Sequence, residues 1–211
     1  MSNRKRLTTL ALCAVACFSI WATSFAAGAA ASPAWFFNGV ELTGEETTLN
    51  HAGASSLTVP GLTTTCEPFV FAMTIFNAAG TGIGKGTITE VPLSNCFTNS
   101  PVCAVKTIGA EKLPWNAHLT TVGGKNYLII ESVKIAVLYS GPECILDETL
   151  VTFTGTAGGI VNNETESVTF SAASFLATKT ALKALGTAAE WTGVFTMIAT
   201  GSHIGQSLEV R

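Results

Sequence analysis

From Trp35 onward, larger apolar residues alternate with Thr, Ser or charged residues in short runs, and no other feature of the chain constrains its fold as strongly. Successive side chains of a strand point to opposite faces, so a period of two marks strands with one wet and one dry side. "ETLVTFTGT" sets Val151 and Phe153 against Thr152 and Thr154, and "ESVTFSA" sets Val168 and Phe170 against Thr169 and Ser171. In "YLIIESVKIAVLY" the odd positions Ile129, Val133, Ile135, Val137 and Tyr139 are apolar with Glu131 as the exception, while the even positions mix Ser132 and Lys134 with Ile130, Ala136 and Leu138. Gly, Pro and Asn clusters at "VGGKN", "SGPE", "AGGIVNNE" and "ATGSHIG" interrupt the runs, as antiparallel hairpins require. The expectation is an all-β fold, an antiparallel β-sandwich or barrel. "PFVFAMTIF", apolar on both faces, fits either, and residues 176–190 read equally well as a short helix or a strand.

The first residues, "MSNRKR", carry three positive charges, and the uncharged apolar "LTTLALCAVACFSIWATSFA" follows. That is the pattern of a secretory signal, with small residues for peptidase cleavage at Ser24-Phe25-Ala26 or at Ala29-Ala30-Ala31. Residues 1–31 are read as the signal peptide and residues 32–211 as a single β domain, long enough to bury about 70 % of its unfolded-chain surface. Removing the signal leaves eight basic residues against fourteen acidic, a net charge of −6. Nucleic acid is not an expected partner, because phosphate neutralisation needs clustered Lys and Arg. Charged residues make up only 12 % of the chain, against about 25 % in ordinary globular domains. The surface is therefore rich in hydroxyls, and weak charge repulsion favours association with like molecules or cell-envelope material.

Four cysteines remain beyond the signal, Cys66, Cys96, Cys103 and Cys144, an even number in a chain read as exported, so two disulfides are expected. A zinc site is poorly supported, since the closest pair has six residues between its members and His51, His118 and His203 are far apart in sequence. "GTGIGKGT" at residues 80–87 resembles a phosphate-binding loop but breaks that pattern at Ala79 and Gly86. Its flanks are rich in Thr, Val, Ile and Phe and read as strands, which makes the stretch a hairpin turn in which Gly82 and Gly84 supply backbone freedom. Folding this hairpin about Thr81 sets Cys66 beside Cys96, and Cys103 is then left to pair with Cys144. No bound nucleotide or other cofactor is expected.

Candidate catalytic groups are sparse. Gly-x-Ser-x-Gly is absent. Glu143, Asp147 and Glu148 share one short loop and cannot flank a glycosidic bond from both sides, so they read as a solvated loop. Trp115, directly after Pro114, reads as a core plug at the end of a sheet rather than a ligand platform. Asn163-Glu164-Thr165 is a glycosylation sequon with meaning only in a eukaryotic secretory route.

A cysteine ending a Thr-rich strand (Cys66), a Gly-rich hairpin returning to "SNC" (Cys96), a nearby Cys103, then "LPW" and a strand leading to Cys144 together resemble the small exported cysteine-containing β-proteins of bacteria, the actinobacterial type above all. More distantly, the arrangement is similar to exported activators of alkane oxidation of the PraB type. The resemblance spans about residues 35 to 175 and implies a non-enzymatic protein, secreted or associated with the envelope. The expected function is binding or assembly at the cell surface or outside the cell. Two alternatives stand beside it: carriage of an apolar small molecule inside a β-barrel, and an exported hydrolase of unrecognised type.

Overall fold

The structure, a computed structural model, describes residues 32–171 and 182–211. The expected signal peptide and residues 172–181, which include part of the undecided 176–190 stretch, lie outside the described residues. In chain order the strands are β1 (Trp35–Phe37), β2 (Val40–Glu41), β3 (Glu45–Ala52), β4 (Ser55–Val59), β5 (Leu62–Cys66), β6 (Phe69–Asn77), β7 (Gly84–Glu90), β8 (Cys96–Thr98) and β9 (Ala104–Ala110). They continue with β10 (Trp115–Val122), β11 (Lys125–Ser140), β12 (Leu150–Asn162), β13 (Ser167–Phe170), β14 (Lys183–Ala184), β15 (Thr187–Ala188), β16 (Glu190–Ala199) and β17 (Leu208–Val210). The described residues contain no helix.

Eight strands close on themselves in the order β11–β10–β7–β6–β3–β16–β13–β12 and back to β11, every neighbour antiparallel. Of the two architectures expected, the barrel is the one formed, and closure removes the free edges that an open sheet exposes. Beyond one end of the barrel the long strands run on and separate into two sheets. The first half of β16 pairs with β4, which leads to β5 and β8. The second half of β11 pairs with β9, and the first half of β12 with β14. Tyr139 of β11 and Thr64 of β5 join the two sheets through a buried hydroxyl pair at 2.7 Å. Burial raises the Tyr139 phenol above its ordinary value, and the Thr64 hydrogen bond only partly offsets this.

The opposite end is capped by the small sheet β17–β1–β2. Trp35, Phe37, Leu208 and Val210 are buried, and the cap is tied to the hairpin ends beneath it. The Trp35 indole N–H donates to the Lys85 carbonyl at 2.9 Å, Asn77 bridges the Trp35 backbone and the Leu42 carbonyl, and Gly84 donates to the Pro33 carbonyl. Asn163 grips both polar backbone atoms of Val210. The sequon asparagine is thus occupied as a structural clamp.

Both disulfides form in the expected pairing, Cys66–Cys96 and Cys103–Cys144. They fit an oxidising, extracytoplasmic environment. The Cys66–Cys96 pairing follows from one register. Met73↔Ile88 through Asn77↔Gly84 set the hairpin centre between Gly80 and Thr81, and an irregularity at Ala72/Met73 shifts it to Thr81, from which Ala72↔Glu90, Phe69↔Leu93 and Cys66↔Cys96 all follow. The staple joins β5 to β8 in the β4–β5–β8 sheet, past the ends of the hairpin itself.

Two expectations are corrected. Gly84 is not a turn glycine. It lies in β7, and a Cβ there would overlap Leu119 Cδ1 and meet the Trp35 ring at 3.0 Å, so it is required by a close approach; the positive φ belongs to Gly80 (82°) and Gly82 (66°). In β11 the odd positions do not share one face throughout. Ile130 pairs with Ala157 but Val133 with Gly155, so an extra residue is inserted at Glu131–Ser132, where Ser132 has a φ of 57°. Leu128 and Ile130 point into the core before the bulge, and Val133, Ile135, Val137 and Tyr139 after it.

Candidate functional site

Side chains fill the barrel. Phe69 and Phe71 of β6, Phe170 of β13, and Trp191 and Phe195 of β16 form one aromatic cluster, with Phe170 stacked on Trp191 at 4.9 Å and Phe195 edge-on to Phe69, Phe170 and Trp191. Each such contact adds about 0.5–1.5 kcal/mol beyond area burial. Trp115 is fully buried, its indole N–H donating to the Glu111 carbonyl. It directly follows Pro114 and opens β10.

One wall of the interior is polar. On β3 the inward residues are Glu46, Thr48, Asn50 and Ala52, while Leu49 faces out, the reverse of what apolar alternation predicts. Thr48 donates to the Met73 carbonyl and Asn50 to Thr48 and to the Phe71 carbonyl. The Asn50 side-chain oxygen is buried with no partner among the described residues. Glu46 is held at the mouth of this wall by the loop after β16: one carboxylate oxygen, Oε2, accepts from the Ser202 amide (3.0 Å) and the Ser202 hydroxyl (2.7 Å) and meets His203 Nδ1 (2.6 Å). Gly201 lies so close that a Cβ would overlap the other oxygen, and the His203 ring stacks on Phe37 of the cap at 4.3 Å. Burial pushes the Glu46 carboxyl up, but the hydrogen bonds from Ser202 and His203, with the His203 charge and the adjacent Gly201 backbone, outweigh it and hold the group below its usual value.

Ser, His and Glu side by side suggest a catalytic triad, but the connectivity is different. A triad needs the serine on one imidazole nitrogen and the acid on the other, whereas Ser202 and Glu46 both meet Nδ1. Ser202 also donates straight to the carboxylate, which leaves it acting as a brace.

The outer wall carries a groove of about 500 Å³ over β7 and β10. Lys85 and Thr87 of β7 stand opposite His118 and Asn116 of β10, with Phe76 of β6 on one side and Glu131 of β11 on the other. His118 Nδ1 and Glu131 Oε1 are 3.5 Å apart. A smaller hollow of about 150 Å³ opens where β12 and β16 part beyond β13, lined by Ala157, Gly158, Phe170, Leu182, Ala189 and Trp191 among others.

In the acidic loop read from sequence Glu143, Asp147 and Glu148 are all exposed. Asp147 accepts from the Gly141 amide, and Glu148 pairs with Lys106, both exposed, a contact worth little in water. His51, His118 and His203 lie on different strands or loops, and no cluster of three metal-binding side chains occurs among the described residues. The Glu46 clamp was invisible in the sequence. Its members sit 156 residues apart, and the only local hint is the tandem Glu45-Glu46 opening a strand.

Fold and surface together define a capped, eight-stranded antiparallel barrel with extra strands at one end and two disulfides. No family model, curated protein or solved structure matches the chain.

Proposed function

We propose that the chain is an exported, non-enzymatic β-barrel that works by binding through its outer wall, at the cell envelope or outside the cell. The observation that carries this reading is the contrast between an interior packed with aromatic side chains and an outer wall that bears an open groove. A barrel of eight strands has room inside either for side chains or for one small ligand. The wall also exposes Leu49, Val194 and Ile198, with Ile198 directly across from Leu49 on β16 and β3. The basic, then apolar, N-terminal residues and the two disulfides support export.

The test is to express the full chain in a bacterial host, separate cytoplasm, envelope and medium, and sequence the N-terminus of the exported protein. A start between Ala27 and Ser32 together with co-sedimentation on isolated envelopes is the expected result. Retention in the cytoplasm with an intact Met1, or export without any binding to envelopes or to itself, overturns the reading. The hollow beside Phe170 and Trp191 favours a second reading, carriage of an apolar molecule about the size of a benzene ring. Benzene or toluene titrated into the protein would shift the Trp191 indole N–H resonance if that reading is right.

A further inference from the structure

We infer that the groove over β7 and β10 is a binding site for a short, uncharged oligosaccharide, an inference that rests on the surface-binding function proposed above. Its volume of about 500 Å³ falls within the range of about 300–1,000 Å³ typical of small-ligand sites. The chemistry of the ligand follows from what the groove offers and what it withholds.

It withholds backbone. The floor is the ladder between β7 and β10, and β7 is also paired with β6 on its other side, so the amides and carbonyls are engaged within a closed barrel. A peptide cannot add here as an extra strand, the commonest way in which a sheet captures an extended chain. Recognition has to run through side chains.

The groove also withholds net charge. Lys85 and Glu131 balance, and no second Lys or Arg lines it, so a phosphate or sulfate finds no cluster to neutralise it. What remains is a mixed set of donors and acceptors. The Lys85 ammonium supplies donors, Glu131 supplies acceptors, and Thr87 and Asn116 supply both. Lys85, Thr87 and Asn116 make no side-chain hydrogen bond or ion pair among the described residues, and His118 and Glu131 meet only at 3.5 Å. A sugar ring matches this set, because each hydroxyl both donates and accepts. Its C–H face has a partner in the half-buried Phe76 ring on the β6 side. The register fixes the spacing: Phe76 pairs with Lys85, Lys85 with His118, and Thr87 with Asn116, so the aromatic and polar elements lie on adjoining strands of one rigid wall.

The full chain, purified after export so that both disulfides form, is titrated with four probes, the trisaccharides cellotriose, maltotriose, laminaritriose and chitotriose, by isothermal calorimetry and by amide chemical shifts. Saturable binding of at least one is expected. Asn116→Ala and Glu131→Gln, both exposed and outside the core, should each weaken it about tenfold, the equivalent of one good hydrogen bond, without lowering the melting temperature. Absence of binding by all four probes, or binding that neither substitution weakens, overturns the inference. Envelope co-sedimentation measured on the same samples separates the two levels. If it persists while no trisaccharide binds, only the sugar assignment fails; if it is lost in the wild-type chain, the surface-binding function fails with it.

Discussion

Replacing Glu46 by Gln tests the clamp that ties the β16–β17 loop to the barrel. The substitution keeps the side-chain shape and removes the charge. Three donors converge on Oε2, from the Ser202 amide, the Ser202 hydroxyl and His203. Hydrogen bonds to a charged acceptor contribute about 1.5–3 kcal/mol each and neutral ones about 0.5–1.5, so about 1 kcal/mol is lost per bond. The His203 bond is discounted because that side chain is 29 % exposed. The expected cost is about 2–3 kcal/mol at neutral pH. For a domain of this size that lowers the melting temperature by about 4–12 °C. The pH dependence gives the sign: the folded carboxyl lies below its usual 4.5, so its contribution is complete above about pH 4.5 and is lost as pH falls through the lower, folded value. Melting curves by circular dichroism, recorded for wild type and Glu46→Gln from pH 7 down to about pH 2, should therefore differ most at neutral pH and converge in acid. Equal melting temperatures at pH 7 would refute the clamp, and a gap that stays constant to the lowest pH would show that the carboxylate charge is not its source.

Three further outcomes are expected. Opening Cys66–Cys96 by double substitution to Ser should cost about 3.5 kcal/mol and opening Cys103–Cys144 about 4, from loops of 30 and 41 residues in the chain-entropy relation, measured by urea unfolding. Gly84→Val, which forces a branched side chain against Leu119 and Trp35, should destabilise by about 3 kcal/mol or more, whereas Gly82→Ala, with open space but a φ of 66°, should cost about 1; comparable urea midpoints for the two would contradict the packing argument. Calorimetric titration with ATP should give no saturable heat for the wild-type chain, and a saturable signal abolished by Lys85→Ala would mean that the glycine-rich stretch does bind phosphate.

The strands and the disulfide pairing were legible because both depend on local rules, the period of two and the symmetry of one hairpin. Cys66 and Cys96 fall at equal distances from Thr81, and the single irregularity at Ala72/Met73 makes that count come out right. The choice between sandwich and barrel was not legible. It depends on β13, four residues long, which bridges β12 and β16 and so closes the ring. The Glu131 exception in β11 was visible as a break in the pattern, but a bulge and a stray surface charge look the same until the partner strand is known. In β3 the alternation misleads outright: Asn50 is inside and Leu49 outside, because Phe71, Met73 and the Ser202 loop supply partners that no local window contains. The outer groove was hidden for a related reason. Lys85 and Thr87 belong to the hairpin, Asn116 and His118 follow "LPW", and only the β7–β10 register brings them together.

The cap has a consequence for the order of events during synthesis. Its central strand, β1, is the first of the described strands to emerge, and its partner β17 is the last, with Ala34 and Arg211 exchanging both backbone hydrogen bonds. Until β17 arrives, Trp35 and Phe37 lack the strand partners Val210 and Leu208, and β3 must likewise wait for β16. Pairings between such distant segments form slowly. A fold whose first described strand pairs with its last cannot lock until that last strand has been made, a delay that suits the export proposed above.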